Sequence, residues 1–124
     1  MKKIVVDTDV LIDFLRGGKK VQEFLLSAVE ESVIYCSAIT VAEIHAGMRE
    51  SERGKTMDLI DSLNIVDVTR EIAEKAGAYR RYEKRQSIEL DDCLIAATAF
   101  RKGAFLATRN VKHYPMDDIK KEIV

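Results

Sequence analysis

Apolar positions along this chain follow two rhythms that alternate from end to end. Short β-branched runs at Lys3–Val6, Val33–Ser37, Asn64–Val68 and Ala104–Thr108 predict strands. Between them the period lengthens. Val21, Phe24, Leu25 and Ala28 recur at i, i+3, i+4 and i+7, and Val41, Ile44, His45 and Met48 do so less perfectly. Ile72, Ala76, Tyr79 and Tyr82 continue such a face, and Leu94–Phe100 predicts a compact apolar helix that Gly103 can end. Strands of nearly continuous apolar character alternating with helices imply a parallel sheet covered on both sides. With one proline, no Ser/Gly-rich linker and no repeat, residues 1–124 are expected to form a single domain. In such sheets functional groups gather beyond the carboxyl ends of the strands.

The first strand stops abruptly in the stretch VVDTDVLID, on two acids separated by one threonine. A helix cap accounts for one of these polar residues, but Asp7, Thr8 and Asp9 exceed what one cap needs. The other strand ends are similar. Glu43 lies in the first turns of the helix after VIYCS, Glu89, Asp91 and Asp92 precede CLIAATAF, and AFLAT runs into Arg109 and Asn110. Each has a structural explanation: Thr40-x-x-Glu43 fits a capping box, Asp91 or Asp92 suits a helix start, and Asn110 suits a turn. Taken together they put several carboxylates at one edge, where they repel one another unless a cation sits among them. Hard oxygen donors of this kind suit Mg²⁺ or Mn²⁺ rather than zinc. On a helix Asp92 shares its face with Ile95, Ala96 and Ala99, whose small side chains leave room for an ion and a phosphate. Asp91 points over Leu94, Ile95 and Thr98, so Asp92 is the expected ligand and Asp91 its support.

Composition narrows the class. A hydrophobic fraction of 47% beside a charged fraction of 33% excludes a disordered or fibrous chain. No apolar run approaches the roughly 20 residues of a membrane span, and the Met-Lys-Lys start lacks a signal-peptide pattern, so a cytoplasmic location is expected. Cys36 and Cys93 lie in apolar runs without metal-binding spacing and read as reduced, packed thiols. The net charge of −1 gives the whole molecule no general attraction for nucleic acid, but its cations are clustered. YRRYEKRQ carries Arg80, Arg81, Lys84 and Arg85, and Arg109 and Lys112 follow the last strand. Such runs are commonly solvated faces, and they gain another meaning only beside a site that handles a polyanion.

The blocks VVDTDVLID, TVAEIHAG, DDCLIAATA and LATRNVKHY, in this order and across nearly the whole chain, resemble the signature blocks of the PIN-domain ribonucleases, specifically the VapC-type toxins of toxin–antitoxin pairs. The resemblance implies an α/β fold, a three-layer α/β/α sandwich around a mainly parallel sheet of four to five strands. It also implies Mg²⁺- or Mn²⁺-dependent endoribonuclease activity and an RNA substrate. A VapB-type antitoxin and a homodimer within the toxin–antitoxin complex are the implied partners. Carried over by position, Asp7 and Asp92 are the metal-binding aspartates and Glu43 the third catalytic acid, binding directly or through water. Thr8, Asp9, Asp91, Thr108 and Asn110 are supporting residues. Asn110 stands where many relatives have a fourth acid, and His113 where some have another. Two alternatives accompany this reading: a haloacid-dehalogenase-like phosphatase using Asp7 as nucleophile, and a catalytically inactive domain that only binds RNA or an antitoxin.

Overall fold

A computed structural model describes residues 1–124. Five strands, β1 (Lys2–Val6), β2 (Ser32–Ser37), β3 (Asn64–Val66), β4 (Phe105–Thr108) and β5 (Lys121–Ile123), form one sheet in the order β3-β2-β1-β4-β5. Every pairing is parallel. The helices are α1 (Thr8–Leu15), α2 (Lys19–Glu31), α3 (Ala38–Gly47), α4 (Arg53–Asp61), α5 (Arg70–Tyr82) and α6 (Leu90–Lys102).

Strand alternation divides the interior into two cores. Val5 and Leu106 face one side, with Ile72 and Ala76 of α5 and Ile95, Ala96 and Ala99 of α6. Ile4, Val6 and Ala107 face the other, with Val10 and Leu11 of α1, Val21 and Leu25 of α2, Ile44 of α3 and Ile60 of α4. The result is the expected three layers. Each fully buried Val, Ile or Leu contributes about 1.5–3 kcal/mol, so β1, apolar on both faces, anchors the sheet from its centre. Three of the alanines of α6 are wholly buried, which lets that helix lie close over β1. Gly103 ends α6 with φ 61°, a left-handed cap that relieves the last turn.

Besides one-residue extensions at the starts of β1 and β2 and the helix α4, for which the sequence pattern predicts no element, the fold differs from the sequence expectation in three further places. The strand expected over Asn64–Val68 ends at Val66, and the last expected strand begins at Phe105, one residue late. The third is β5, which residue pattern does not reveal: Lys-Glu-Ile is short and mostly charged, and becomes a strand by pairing Leu106 with Lys121 and Thr108 with Ile123. Because β1 and β4 are neighbours with parallel direction, the carboxyl ends at Val6 and Thr108 lie side by side. That shared end is where the acids meet.

Candidate metal centre

Asp7 directly follows β1 and caps α1. It is 6% exposed, and both its oxygens are engaged: Oδ1 accepts the Thr8 N–H at 2.8 Å, and Oδ2 accepts the Thr108 hydroxyl at 2.7 Å. The capping explanation is therefore correct for one oxygen and silent about the other. Thr108, fully buried at the end of β4, also accepts the Asn110 N–H at 3.0 Å through the same hydroxyl. The turn after β4 is thereby tied to Asp7.

The capping box expected from Thr40 and Glu43 does not form. Helix α3 begins three residues earlier, and Ser37 is its cap, accepting the Ile39 N–H at 3.1 Å. Thr40 is instead buried inside the helix, its hydroxyl 2.9 Å from that of Thr8. Thr8 donates to Glu43 Oε1 at 2.6 Å; having one proton to give, it serves the shorter, charge-assisted contact. Glu43 is thus aimed from α3 toward the start of α1. Burial, followed by the hydrogen bond its protonated form donates to Asp91, pushes its carboxyl up to about 7, with the charges of Asp91 and Asp92 adding to the rise and the Thr8 hydroxyl opposing it.

Asp91 and Asp92 occupy the first turn of α6, where the helix dipole favours negative charge. Asp91 Oδ1 accepts the Asp92 N–H at 2.9 Å, the helix-start role expected of it, but it also reaches Glu43. Asp92 faces the neighbouring strand end: burial, then Asp91, then Asp7 push it up to about 6. Its Oδ1 accepts the Tyr114 hydroxyl at 3.3 Å, and its Oδ2 lies 3.9 Å from His113 Nδ1. Asp9 completes the group. Asn110 Nδ2 donates to its Oδ2 at 2.7 Å, its Oδ1 is buried without a hydrogen-bond partner, and burial and the Asp7 charge push it up to about 6.

Acids from β1, α3 and α6 therefore act on one another across a shared edge, although no three Asp, Glu, His or Cys side chains form a ready-made cage. Hydrogen bonds to threonine and mutual repulsion hold them apart. The sequence pattern indicated Asp7, Asp9, Glu43, Asp91 and Asp92. It missed Thr40 and Tyr114, whose only signal was a polar group within a block otherwise bound for the core.

The basic residues divide into paired and unpaired. Arg85 is held by Glu83 at 2.6 Å and by the Pro115 carbonyl at 2.9 Å, Arg109 by Asp13 at 3.0 Å, and Lys84 by the Arg81 carbonyl at 3.4 Å. Arg80, Arg81 and Lys112 form no ion pair. Gln86 donates to the Lys112 carbonyl at 2.9 Å, so the basic end of α5 is fastened to the turn beside Asp92.

Comparison with known proteins identifies the family. Residues 4–119 match the PIN domain family. Ribonuclease VapC10 of Mycobacterium tuberculosis is 42% identical over 115 residues, covering 91% of this chain and 86% of that protein. Among solved structures, VapBC2 from Rickettsia felis bound to a promoter DNA fragment superposes with a TM-score of 0.85 at 22% identity, over 98% of each chain. A toxin–antitoxin complex from Klebsiella pneumoniae gives 0.81 at 27% identity over 94% of each chain. The family match removes the phosphatase reading of Asp7. The chain belongs to the PIN-domain family and, within it, to the VapC-type ribonucleases.

Proposed function

We propose that this chain is a metal-dependent endoribonuclease that cleaves RNA phosphodiester bonds as the toxin of a toxin–antitoxin pair. In this reading Asp7 and Asp92 hold a Mg²⁺ or Mn²⁺ ion and Glu43 completes the site directly or through a water. The observation that carries it is the approach of Asp7, Glu43 and Asp92, from three separate elements, to one sheet edge, where burial and like charge raise two of them.

The donors fit such an ion. They are carboxylate oxygens with a single imidazole and no thiolate nearby, and the unpartnered Asp9 Oδ1 is an acceptor that a cation would satisfy. When bound, the ion would lower the pKa of a water and polarise phosphoryl oxygens. The chain's own residues do the rest. Thr108 and the Thr8 N–H fix Asp7, and Thr8 aims Glu43 at the start of α1, where its carboxylate is placed to hold and orient a water. Arg80, Arg81 and Lys112 are free to follow a phosphate backbone.

The partner we assign is a VapB-type antitoxin, with the toxin as a homodimer in that complex and the single domain acting in the cytoplasm. A hollow of about 120 Å³, lined by Ile12, Leu15, Ile44 and Met48 together with Arg16 and Glu43, is sized for one apolar side chain of a docked segment whose basic residue pairs with the acids. Incubation of the purified chain with RNA tests the activity. Cleavage in Mg²⁺ that stops with EDTA and is abolished in a folded Asp92→Asn variant is the expected result. Wild-type cleavage by that variant would overturn the site, and no cleavage under any metal would leave the inactive binding domain.

A further inference from the structure

Tyr114 leaves the turn after β4 and is 1% exposed, in the same core as Ile88, Cys93 and Met116. Packing asks only for its ring; a buried phenol hydroxyl must also find an acceptor. This one donates to Asp92 Oδ1 at 3.3 Å, a long O–H···O contact. Burial first, and then the charges of Asp7 and Asp92, oppose its ionisation, so the hydroxyl is a neutral donor. Its backbone is pinned: the Tyr114 N–H donates to the Val111 carbonyl at 2.9 Å, and Lys121 Nζ donates to the carbonyls of Tyr114 at 2.8 Å and Met116 at 2.7 Å. The ring has no freedom to swing away.

We propose that Tyr114 is a positioning residue whose hydroxyl holds the Asp92 carboxylate in place, beside Asp7, for a divalent cation. The proposal rests on the reading of Asp7 and Asp92 as ligands. Asp92 and Asp7 at one edge repel and splay unless something holds them. A lysine beside Asp92 would hold it but would also compete with the ion, whereas a phenol supplies a hydrogen bond without a charge. Asp92 Oδ2, which the phenol does not touch, is left for the metal. Outer partners of ligating carboxylates tune affinity in this way.

Tyr114→Phe keeps the ring and removes one oxygen. Titrating Mn²⁺ alone into the protein by calorimetry, we expect the variant to bind about tenfold more weakly. The Mn²⁺ concentration for half-maximal RNA cleavage should rise by the same factor. Ile72→Val, which loosens the same core away from the acids, should lower thermal stability without changing Mn²⁺ affinity. Unchanged affinity in Tyr114→Phe, or an equal loss in Ile72→Val, would overturn the proposal. Asp92→Asn separates the two levels. If it loses Mn²⁺ binding while Tyr114→Phe retains it, only the role of Tyr114 fails; if Asp92→Asn binds as wild type, the ligand assignment fails first.

Discussion

At the scale of single residues, Asn110 shows how one amide changes a site of carboxylates. Its Nδ2 donates to Asp9 Oδ2, so it neutralises no charge yet quiets one acid of the cluster. Asn110→Asp would set two carboxylates against each other and lose a donor. In metal-free protein we expect a stability loss of about 1 kcal/mol, seen in urea unfolding. Mg²⁺ binds more firmly where negative charge is denser, so calorimetry should show tighter binding in the same variant. Equal affinity would mean that the ion does not reach this side of the site. The raised carboxyls make a second prediction. Asp9 and Asp92, near 6, and Glu43, near 7, keep protons in the folded chain that the unfolded chain has already released above the ordinary carboxyl range. The folded state thus binds more protons between about pH 4 and 7, and metal-free stability falls as pH rises through that window. Asp118, lowered by Lys75 and Tyr79 against the opposing effect of burial, acts oppositely and only on further acidification. Urea midpoints at pH 5 and 8 should differ in that sense, with Mg²⁺ reducing the difference. A midpoint that rises with pH would contradict the crowding of these acids.

At the scale of elements, the site depends on hydrogen bonds that join helix starts. Thr8 links the first turn of α1 to α3 through Glu43 and Thr40, and Thr108 links β4 to the cap of α1. Thr8→Val preserves shape while leaving Thr40 and Glu43 without this partner. A cost of about 1–3 kcal/mol in unfolding experiments is expected, together with weaker RNA cleavage. Thr8→Ser, which restores the hydroxyl, should recover most of both. If Val and Ser behave alike, packing rather than the hydrogen bond sets the position of α3.

At the scale of the whole molecule, net charge near neutrality puts the weight of RNA binding on the cations left unpaired. Arg80, Arg81 and Lys112 are such cations, while Arg85 and Arg109 are occupied within the protein. Reversing the charges of Arg80, Arg81 and Lys112 should flatten the salt dependence of RNA binding by about 2 in log–log slope, given roughly 0.7 per phosphate contact on a single strand. Arg85→Ala should instead loosen the segment fastened to Pro115, with little change in slope. An equal change in both variants would return the basic end of α5 to a solvated face.

The alternation of strands and helices, the parallel sheet and the positions of Asp7, Glu43 and Asp92 were legible in the sequence. Each depends on local periodicity or on where a strand ends, and neighbouring residues decide both. The family blocks named the same acids in order. Short charged segments and side-chain partners were not legible. β5 is a strand only because β4 offers it an edge, and Thr40 abandons its capping motif because Ser37 already caps α3. Arg81 and Arg85 both lie two residues from Glu83 in the sequence, and only the folded backbone decides that Arg85 takes it and also reaches Pro115. The pairs Thr8–Glu43, Asn110–Asp9 and Tyr114–Asp92 join residues 22 to 101 positions apart. Their selection follows from which strand ends the parallel register sets side by side, and that is a property of the folded chain.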